Sequence, residues 1–229
     1  MVEVVKFLLY VPVLSLGVVA GCKTTYVMDV DALCTPGAEI FKTYTLVPGN
    51  KNVTPDDLEF LEFRKYVQRA LEAIHCVESS KDRADVVIAM SYGISKPQQR
   101  IDSYGYPTYG YQYGRGYAVY GATGYDTELY SYEVYIHTLK LIARETRADG
   151  GDEGKEVWRV VVRSTNESND LRSFFPYLVA AAQPFVANQT PGGAVEVKLK
   201  ENADAVMLIR YGREAWEKMK KKDDDDEDD

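Results

Sequence analysis

The N-terminal segment ending in Val19, Ala20, Gly21 and Cys22 decides how much of this chain is available to fold. Lys6 precedes an almost unbroken apolar run over residues 7–19, and small residues stand directly before the cysteine. A basic start, an apolar centre and small residues before the cut are typical of a secretory signal peptide. A cysteine at the cut is typical of the lipobox of bacterial lipoproteins. We therefore expect residues 1–21 to be removed and Cys22 to carry a lipid that attaches the protein to a membrane.

Two other interpretations of this segment remain open, an ordinary leader and a transmembrane anchor. A helix needs ~18 to 20 apolar residues to cross a bilayer. The apolar run ends at Gly21 and falls short of that length. Lys23 follows the cysteine, where an aspartate is the usual signal for retention at the inner membrane of lipoproteins. The sequence therefore favours the periplasmic side of an outer membrane.

The C-terminus carries most of the net charge. Residues 223–229 are all acidic, and removing these seven charges from the formal −8 leaves the remainder near −1. The folded part therefore has no basic surface that would indicate a nucleic-acid partner. A block of like charges repels itself and stays solvated. We expect one domain over residues 22–212, followed by a helix and a disordered acidic tail over residues 213–229, where binding of a basic partner or divalent cations is the alternative.

Cys34 and Cys76 are the two cysteines outside the lipobox. In an oxidising compartment they can form a disulfide, which restricts the unfolded chain. The alternative is two separate thiols, because cysteine also packs as a small apolar residue. No metal site is predicted, since the cysteines lack paired spacing and the chain's two histidines, His75 and His137, stand far apart.

The order of patterns predicts an α+β fold in which a largely antiparallel sheet carries two main helices. Alternating or β-branched segments predict strands, and apolar residues spaced by three and four predict helices. Predicted strands cover residues 26–33, 41–47, 86–90, 132–143, 157–162 and 195–199. Predicted helices start at Thr54 and Leu171, and Pro176 and Pro184 predict that the second is kinked or split. Residues 205–209 are a further apolar segment, assigned to the terminal strands.

An insertion over residues 103–132 breaks this pattern, because tyrosine and glycine alternate there without a hydrophobic face. Glycine gives backbone freedom, and tyrosine gives a large amphipathic contact area. One interpretation is a mobile connection between two strands. The other is a partner-binding surface, with these candidate residues: Tyr104, Tyr106, Tyr109, Tyr111, Tyr113, Tyr117 and Tyr120.

Three short motifs, in this order around the tyrosine-rich segment, resemble a known family. They are Ala-Asp-Val-Val-Ile at residues 84–88, His-Thr-Leu-Lys-Leu at 137–141 and Glu-Val-Trp-Arg at 156–159. With the helix that precedes them, they resemble the bacterial lipoproteins grouped as domain of unknown function 4136, over roughly residues 26–187. The resemblance implies a fold and an envelope location but no activity. Residues 194–216 extend beyond the family pattern and are expected to add an edge to the sheet.

The motifs favour a binding or assembly role over catalysis. The sequence contains no nucleophile-elbow motif, no Ser-x-x-Lys set and no metal-binding histidine pair, so no catalytic residue and no cofactor is predicted. Asp56 and Asp57 are explained by helix capping. We expect a lipid-anchored envelope protein that binds an envelope protein or glycan. A hydrolase of cell-wall or lipid material and a subunit of a transport or secretion apparatus are the alternatives.

Overall fold

A computed structural model describes residues 24–37, 41–114, 116–146 and 154–227 of the chain, without the side chains of residues 223–227. Within these ranges it has eight strands and four α-helices. In chain order they are β1 (Thr25–Cys34), β2 (Thr43–Pro48), α1 (Leu58–Ala73), β3 (Val77–Glu78), β4 (Val86–Ile94), β5 (Gln98–Gly114), β6 (Tyr117–Glu145), β7 (Glu156–Asn166), α2 (Leu171–Ala182), β8 (Val195–Lys200), α3 (Asp204–Tyr211) and α4 (Arg213–Glu227).

The strands form a mixed sheet in the order β3-β2-β4-β6-β7-β1-β8, and β5 pairs with β6 outside this path. β2 runs parallel to β3 and β4. The other recorded pairs are antiparallel, and they include the expected hairpin of β6 and β7. The turn predicted near residues 149–152 lies outside the described residues. The chain therefore has a mixed α and β architecture, and its sheet is not purely antiparallel.

One hydrophobic cluster joins one face of the sheet to side chains of α1 and α2. The Phe63 ring of α1 stacks on the Phe175 ring of α2 with centroids 3.9 Å apart, and it meets the Tyr92 ring of β4 edge-on at 4.8 Å. Trp158 of β7 is also buried in this cluster. The core therefore involves residues that are far apart in sequence.

Helix α1 begins later than the sequence predicts. Its N-cap is Asp57, whose side chain accepts a hydrogen bond from the Glu59 N–H, and the helix starts at Leu58 rather than at Thr54. The Thr54 carbonyl instead accepts from the Asp57 N–H in a preceding turn. Asp57 therefore caps the helix by accepting one of its exposed backbone N–H groups. His75 lies beyond the helix end, at a φ of 65°.

The second helical stretch is divided, as its prolines predict. α2 has Asp170 as its N-cap and contains Pro176, and it ends at Ala182. A single 3-10 turn, Gln183–Phe185, follows and includes Pro184. Proline has no N–H to donate to the preceding turn, so it favours this change of helix type.

The C-terminal region corrects one prediction and extends another. β8 adds an edge strand beside β1, as expected. Residues 205–209, assigned to a strand, belong to helix α3, because Val206 and Ile209 are buried at a spacing of three and Gly212 ends the helix at a φ of 84°. α4 continues to Glu227 and includes the first five residues of the acidic run. Each residue added to an existing helix gains a backbone hydrogen bond, which favours this extension.

Candidate functional site

The tyrosine-rich insertion forms a long two-stranded β-ribbon instead of a loop. Its strands pair antiparallel from Gln98 opposite Val134 to Gly114 opposite Tyr117. Gly116, at a φ of 89°, occupies the turn, where only glycine adopts this conformation without strain. The ribbon extends from the main sheet, because β4 and β7 pair with β6 only over residues 135–145. We call residues 98–114 and 117–134 the tyrosine ribbon.

The half of the ribbon nearest the sheet carries one group of tyrosines. Strand alternation and pairing place Tyr104 and Tyr106 on the same face as Tyr130 and Tyr132. The rings of Tyr104 and Tyr106 stack with centroids 6.3 Å apart, and those of Tyr130 and Tyr132 with centroids 5.8 Å apart. The candidate list from the sequence contains only Tyr104 and Tyr106. If residues 125–134 had been assigned to a strand, the alternation of side chains would have placed Tyr130 and Tyr132 on the same face as well.

The outer half carries a second group. A register shift between Thr108 and Tyr109 separates the two halves. Beyond it, Tyr111 pairs with Tyr120, and the Tyr120 ring lies 5.1 Å from the Tyr111 ring and 6.3 Å from the Tyr109 ring. Tyr113 is opposite Ala118 and continues the same row. Tyr117 is opposite Gly114 at the turn. The seven candidate tyrosines are therefore brought together in one ribbon, in two groups.

The ribbon is exposed or half-buried along its described length up to Glu133, and Val134 at its base is buried. No described residue between 98 and 133 is buried. Exposure of the seven candidate tyrosines ranges from 37% for Tyr106 to 85% for Tyr113. Exposed aromatic area of this extent is typical of surfaces that bind a partner, and each tyrosine can bury its ring while its hydroxyl stays in water. The sequence left open a mobile connection between two strands or a partner-binding surface; in the structure the segment is itself a pair of strands.

Polar contacts in the ribbon join tyrosine hydroxyls to carboxylates. The Tyr132 hydroxyl donates to Asp102 Oδ2 at 2.8 Å, and this hydrogen bond raises the pKa of Tyr132. The Tyr135 hydroxyl donates to Glu133 Oε2 at 3.2 Å, where burial and this hydrogen bond raise the pKa of Tyr135. In both pairs the tyrosine hydroxyl acts as a hydrogen-bond donor to a carboxylate.

His137 lies away from the ribbon surface, in the core. It is fully buried, its ring stacks on Phe174 with centroids 5.0 Å apart, and its Nδ1 atom lies 3.0 Å from the Asn166 side-chain nitrogen. Burial lowers the pKa of His137. The residue therefore belongs to the sheet face, as the sequence predicts.

A cleft of about 790 Å³ lies near the start of α2 and has aromatic walls that include Tyr26 and Tyr66. Its charged groups bond within the protein: Arg172 Nε lies 2.8 Å from Glu62 Oε1, and Arg210 Nη2 donates to the Ser173 carbonyl at 3.3 Å. This cleft contains none of the site residues predicted from the sequence.

The remaining predicted site residues are cysteines. Cys22 lies outside the described residues, so its lipidation stays a prediction. The Cys34 thiol donates to the Ala187 carbonyl at 3.1 Å, and the Cys76 thiol lies 4.0 Å from the Phe41 carbonyl oxygen. Burial raises the pKa of Cys76. A bond between Cys34 and Cys76 stays a prediction.

The described residues also bear on membrane-spanning segments and metal sites. Neither a membrane-length apolar helix nor a group of three or more His, Cys, Asp or Glu side chains able to hold a metal ion occurs among them.

The part of the chain from β2 to α2, which includes the tyrosine ribbon, matches a known family. The model described as "Domain of unknown function (DUF4136)" matches residues 35–182, so the chain belongs to this family. Comparison with the curated proteins finds no significant match.

Two solved structures are similar at low identity. One is a PDZ domain protein from Parabacteroides distasonis ATCC 8503, at 13% identity and a TM-score of 0.42, over 77% of this chain. The chain spans only 39% of that protein's structure. The other is a PelC dodecamer from Paraburkholderia phytofirmans, at 15% identity and a TM-score of 0.34, over 70% of this chain and 92% of that one. At these TM-scores neither similarity bears on function.

Proposed function

We propose that this protein is a non-enzymatic, lipid-anchored component of the cell envelope whose tyrosine ribbon binds another envelope component. The observation that carries the proposal is the ribbon itself. It exposes two rows of tyrosine rings on a two-stranded support, and none of its described residues between 98 and 133 is buried. A partner that covers these rings removes apolar area from water, which stabilises the complex.

The anchor part of the proposal rests on the N-terminal sequence. Residues 1–21 have the layout of a signal peptide, Cys22 has the position of a lipidated cysteine, and Lys23 favours the outer membrane. A lipid at Cys22 lies only a few residues before β1, which starts at Thr25. The domain would then be held close to the membrane, with the edge pair β1 and β8 near the anchor.

The main sheet and its helices form the scaffold that holds the ribbon. We infer that α1 and α2 form a layer over one face of a largely antiparallel sheet, because their buried residues share one cluster with β1, β4, β6 and β7. β6 is central in the sheet and continues directly into the ribbon. A firmly packed central strand keeps the base of the ribbon fixed, so the tyrosine rows are presented in one orientation.

Photo-crosslinking in living cells tests the binding part of this proposal. We would introduce a photoreactive phenylalanine analogue at Tyr113 and, as a matched control, at Leu58 of α1; both side chains are 85% exposed. We expect a discrete adduct with an envelope protein or glycan from position 113 and none from position 58. Equal adducts from both positions, or none from position 113, would contradict a partner-binding ribbon.

Labelling with radioactive palmitate tests the anchor separately. The parent chain should incorporate label, and Cys22→Ser should not. Equal labelling of the two proteins would contradict lipidation at Cys22. The crosslinking result would still test partner binding by the ribbon.

A further inference from the structure

We propose that the open edge of β6, residues 125–133, pairs antiparallel with the same segment of a second copy of this chain, about a two-fold axis at Leu129. This inference deepens the proposed binding role by assigning one edge of the ribbon to self-association. It concerns the backbone edge near the sheet and leaves the outer tyrosine group free for another partner.

The orientation of the backbone shows which residues of β6 face the open edge. Both backbone groups of Ile136 face the β4–β5 side, since its carbonyl accepts from the Ser95 N–H and its N–H donates to Ser95 Oγ. The N–H of Glu145, an odd-numbered residue, instead donates to Lys155 on the β7 side. Backbone groups alternate along a strand, and the pairing with β5 stays in register from Gln98 to Thr108. The odd-numbered residues 125–133 therefore direct their N–H and C=O groups away from β5.

This edge pairs with no other strand in the described part of the chain, although the outward Thr127 N–H donates to the neighbouring Asp126 Oδ1 at 2.8 Å. β7 pairs with β6 only as far as Tyr135 opposite Asn166, and α2 follows where β7 would otherwise continue. An isolated two-stranded hairpin is at best marginally stable in water, and a third strand stabilises it. An open edge is a template for such a strand.

The side chains of the segment are complementary to themselves. An antiparallel pairing centred on Leu129 places residues that are equally far before and after Leu129 opposite each other. The resulting pairs are Tyr125 with Glu133, Asp126 with Tyr132, Thr127 with Ser131, Glu128 with Tyr130, and Leu129 with Leu129. No two like charges are opposite each other, and like charges in that position destabilise a sheet.

These pairs join the same kinds of side chain that already form hydrogen bonds in and beside the ribbon. Three of the five join a tyrosine to a carboxylate, which is the chemistry of Tyr132 with Asp102 and of Tyr135 with Glu133. The central pair brings together two copies of Leu129, whose side chain is 70% exposed in the single chain. Burying this residue against its own copy removes apolar area from water at the centre of the contact.

A β-bulge limits the pairing to this segment. At the register shift in the ribbon, Thr123 is the unpaired residue of β6, and such an extra residue bends its strand. In the symmetric pairing, Thr123 of the second copy falls opposite Tyr135, where β7 already occupies the edge. If the pairing continued past this point, the second ribbon would collide with β7. The bulge bends the outer part of the second ribbon away from β7 at this position.

The opposite edge of the ribbon is less suited to this role. Pro107 of β5 pairs with Tyr125, whose backbone groups face outward, so Pro107 also faces outward on its own edge. Proline provides no N–H at that position, and proline on an edge strand blocks pairing with another chain. The β6 edge has no proline between residues 117 and 133.

Disulfide trapping tests the proposal on the purified full chain in detergent. Leu129→Cys places a cysteine opposite its own copy, at the ~5.5 Å Cα separation of a paired residue, which a disulfide can bridge. Ile101→Cys is the matched control, because Ile101 is 69% exposed and lies on β5, one strand further from the axis. Under mild oxidation we expect about tenfold more disulfide-linked dimer from Leu129→Cys than from Ile101→Cys. Equal yields, or no dimer from Leu129→Cys, would overturn the proposal.

The register and the edge are tested by further variants. Mixed chains carrying Thr127→Cys and Ser131→Cys should form heterodimers, whereas Thr127→Cys alone should not form dimers, because each copy of residue 127 is opposite residue 131. Ser131→Pro removes an outward N–H and should reduce trapping of Leu129→Cys to the Ile101→Cys level with an unchanged circular dichroism spectrum. Unchanged trapping in that variant would also overturn the proposal. Because the protein is purified, failure here is independent of lipidation and of crosslinking from Tyr113.

Discussion

The Nδ1 atom of His137 lies 3.0 Å from the side-chain nitrogen of Asn166, in a site where the imidazole is fully buried. The amide nitrogen can only donate, so Nδ1 is the acceptor and the proton of the neutral ring is on Nε2. Nε2 is buried and has no hydrogen-bond partner among the residues that the structure describes. The site therefore accommodates the neutral ring and disfavours the imidazolium.

This arrangement predicts that acid destabilises the fold through His137. Burial lowers the pKa of His137 below its ordinary 6.5, so the unfolded chain binds a proton at a higher pH than the folded chain does. The free energy of unfolding should therefore fall as the pH decreases below about 6.5, until the folded-state pKa is reached. Urea unfolding between about pH 7.5 and about pH 5.5 should show this fall in the parent and a smaller one in His137→Gln.

The control for this prediction is His75→Asn. His75 is exposed, and its φ of 65° is a conformation that asparagine tolerates. The variant should retain the pH dependence of the parent. If His137→Gln retained it as well, burial of the neutral imidazole would not be its source.

Asp85 is predicted to stabilise the loop before β2. Its Oδ2 atom accepts the backbone N–H groups of Lys42 and Thr43, both at 2.8 Å, and these bonds lower its pKa. Asp85→Ala should reduce the free energy of unfolding by about 1 kcal/mol at neutral pH, since solvent exposure weakens a charged hydrogen bond. Folding lowers the pKa of Asp85. The difference in free energy of unfolding between Asp85→Ala and the parent should therefore shrink as acid protonates Asp85.

Asp82→Ala is the matched control, because Asp82 is exposed in the same connection and makes no hydrogen bond to residues 42 and 43. In chemical denaturation, the free energy of unfolding of Asp82→Ala should be close to that of the parent. Equal losses for the two variants would argue against the specific role of Asp85.

We expect Cys34 and Cys76 to form a disulfide in protein isolated from the envelope. Cys34 is opposite Trp158 in the sheet, and the Trp158 ring lies 5.8 Å from the ring of Phe41, whose carbonyl oxygen is near the Cys76 thiol. The two cysteines thus have neighbours in one region of the core. Peptide mapping without reducing agent should yield a joined peptide pair, and recovery of both residues as alkylated thiols would reject the bond.

The sequence predicts those elements that have an apolar face of their own. Residues 86–90 and 157–162 are mostly apolar and rich in valine, and they form the N-terminal parts of β4 and β7. Phe60, Phe63 and Val67 have the spacing of a buried helical face, and all three are buried in α1. In these segments the local pattern and the final packing require the same conformation.

The ribbon could not be predicted in the same way, because no apolar face marks its strands. Its regular structure comes from cross-strand backbone pairing, as between Tyr104 and Glu128, and glycine and proline weaken the local signal. The helix α3 was missed for a related reason. Residues 205–209 are too few to distinguish a helix from a strand, and Gly212 as the helix end is recognisable only when the backbone is known.

Deletion of residues 105–124 tests most directly whether the ribbon is a binding surface. The deletion removes the outer tyrosine group and leaves residues 125–127 as the connection to the remaining pairs. Because none of the described residues in the deleted range is buried, the midpoint of thermal unfolding should stay within about 2 °C of the parent. Partner recovery after crosslinking in cells should fall about tenfold, equivalent to a loss of about 1.4 kcal/mol of binding free energy. Unchanged recovery, or collapse of the fold, would contradict the account.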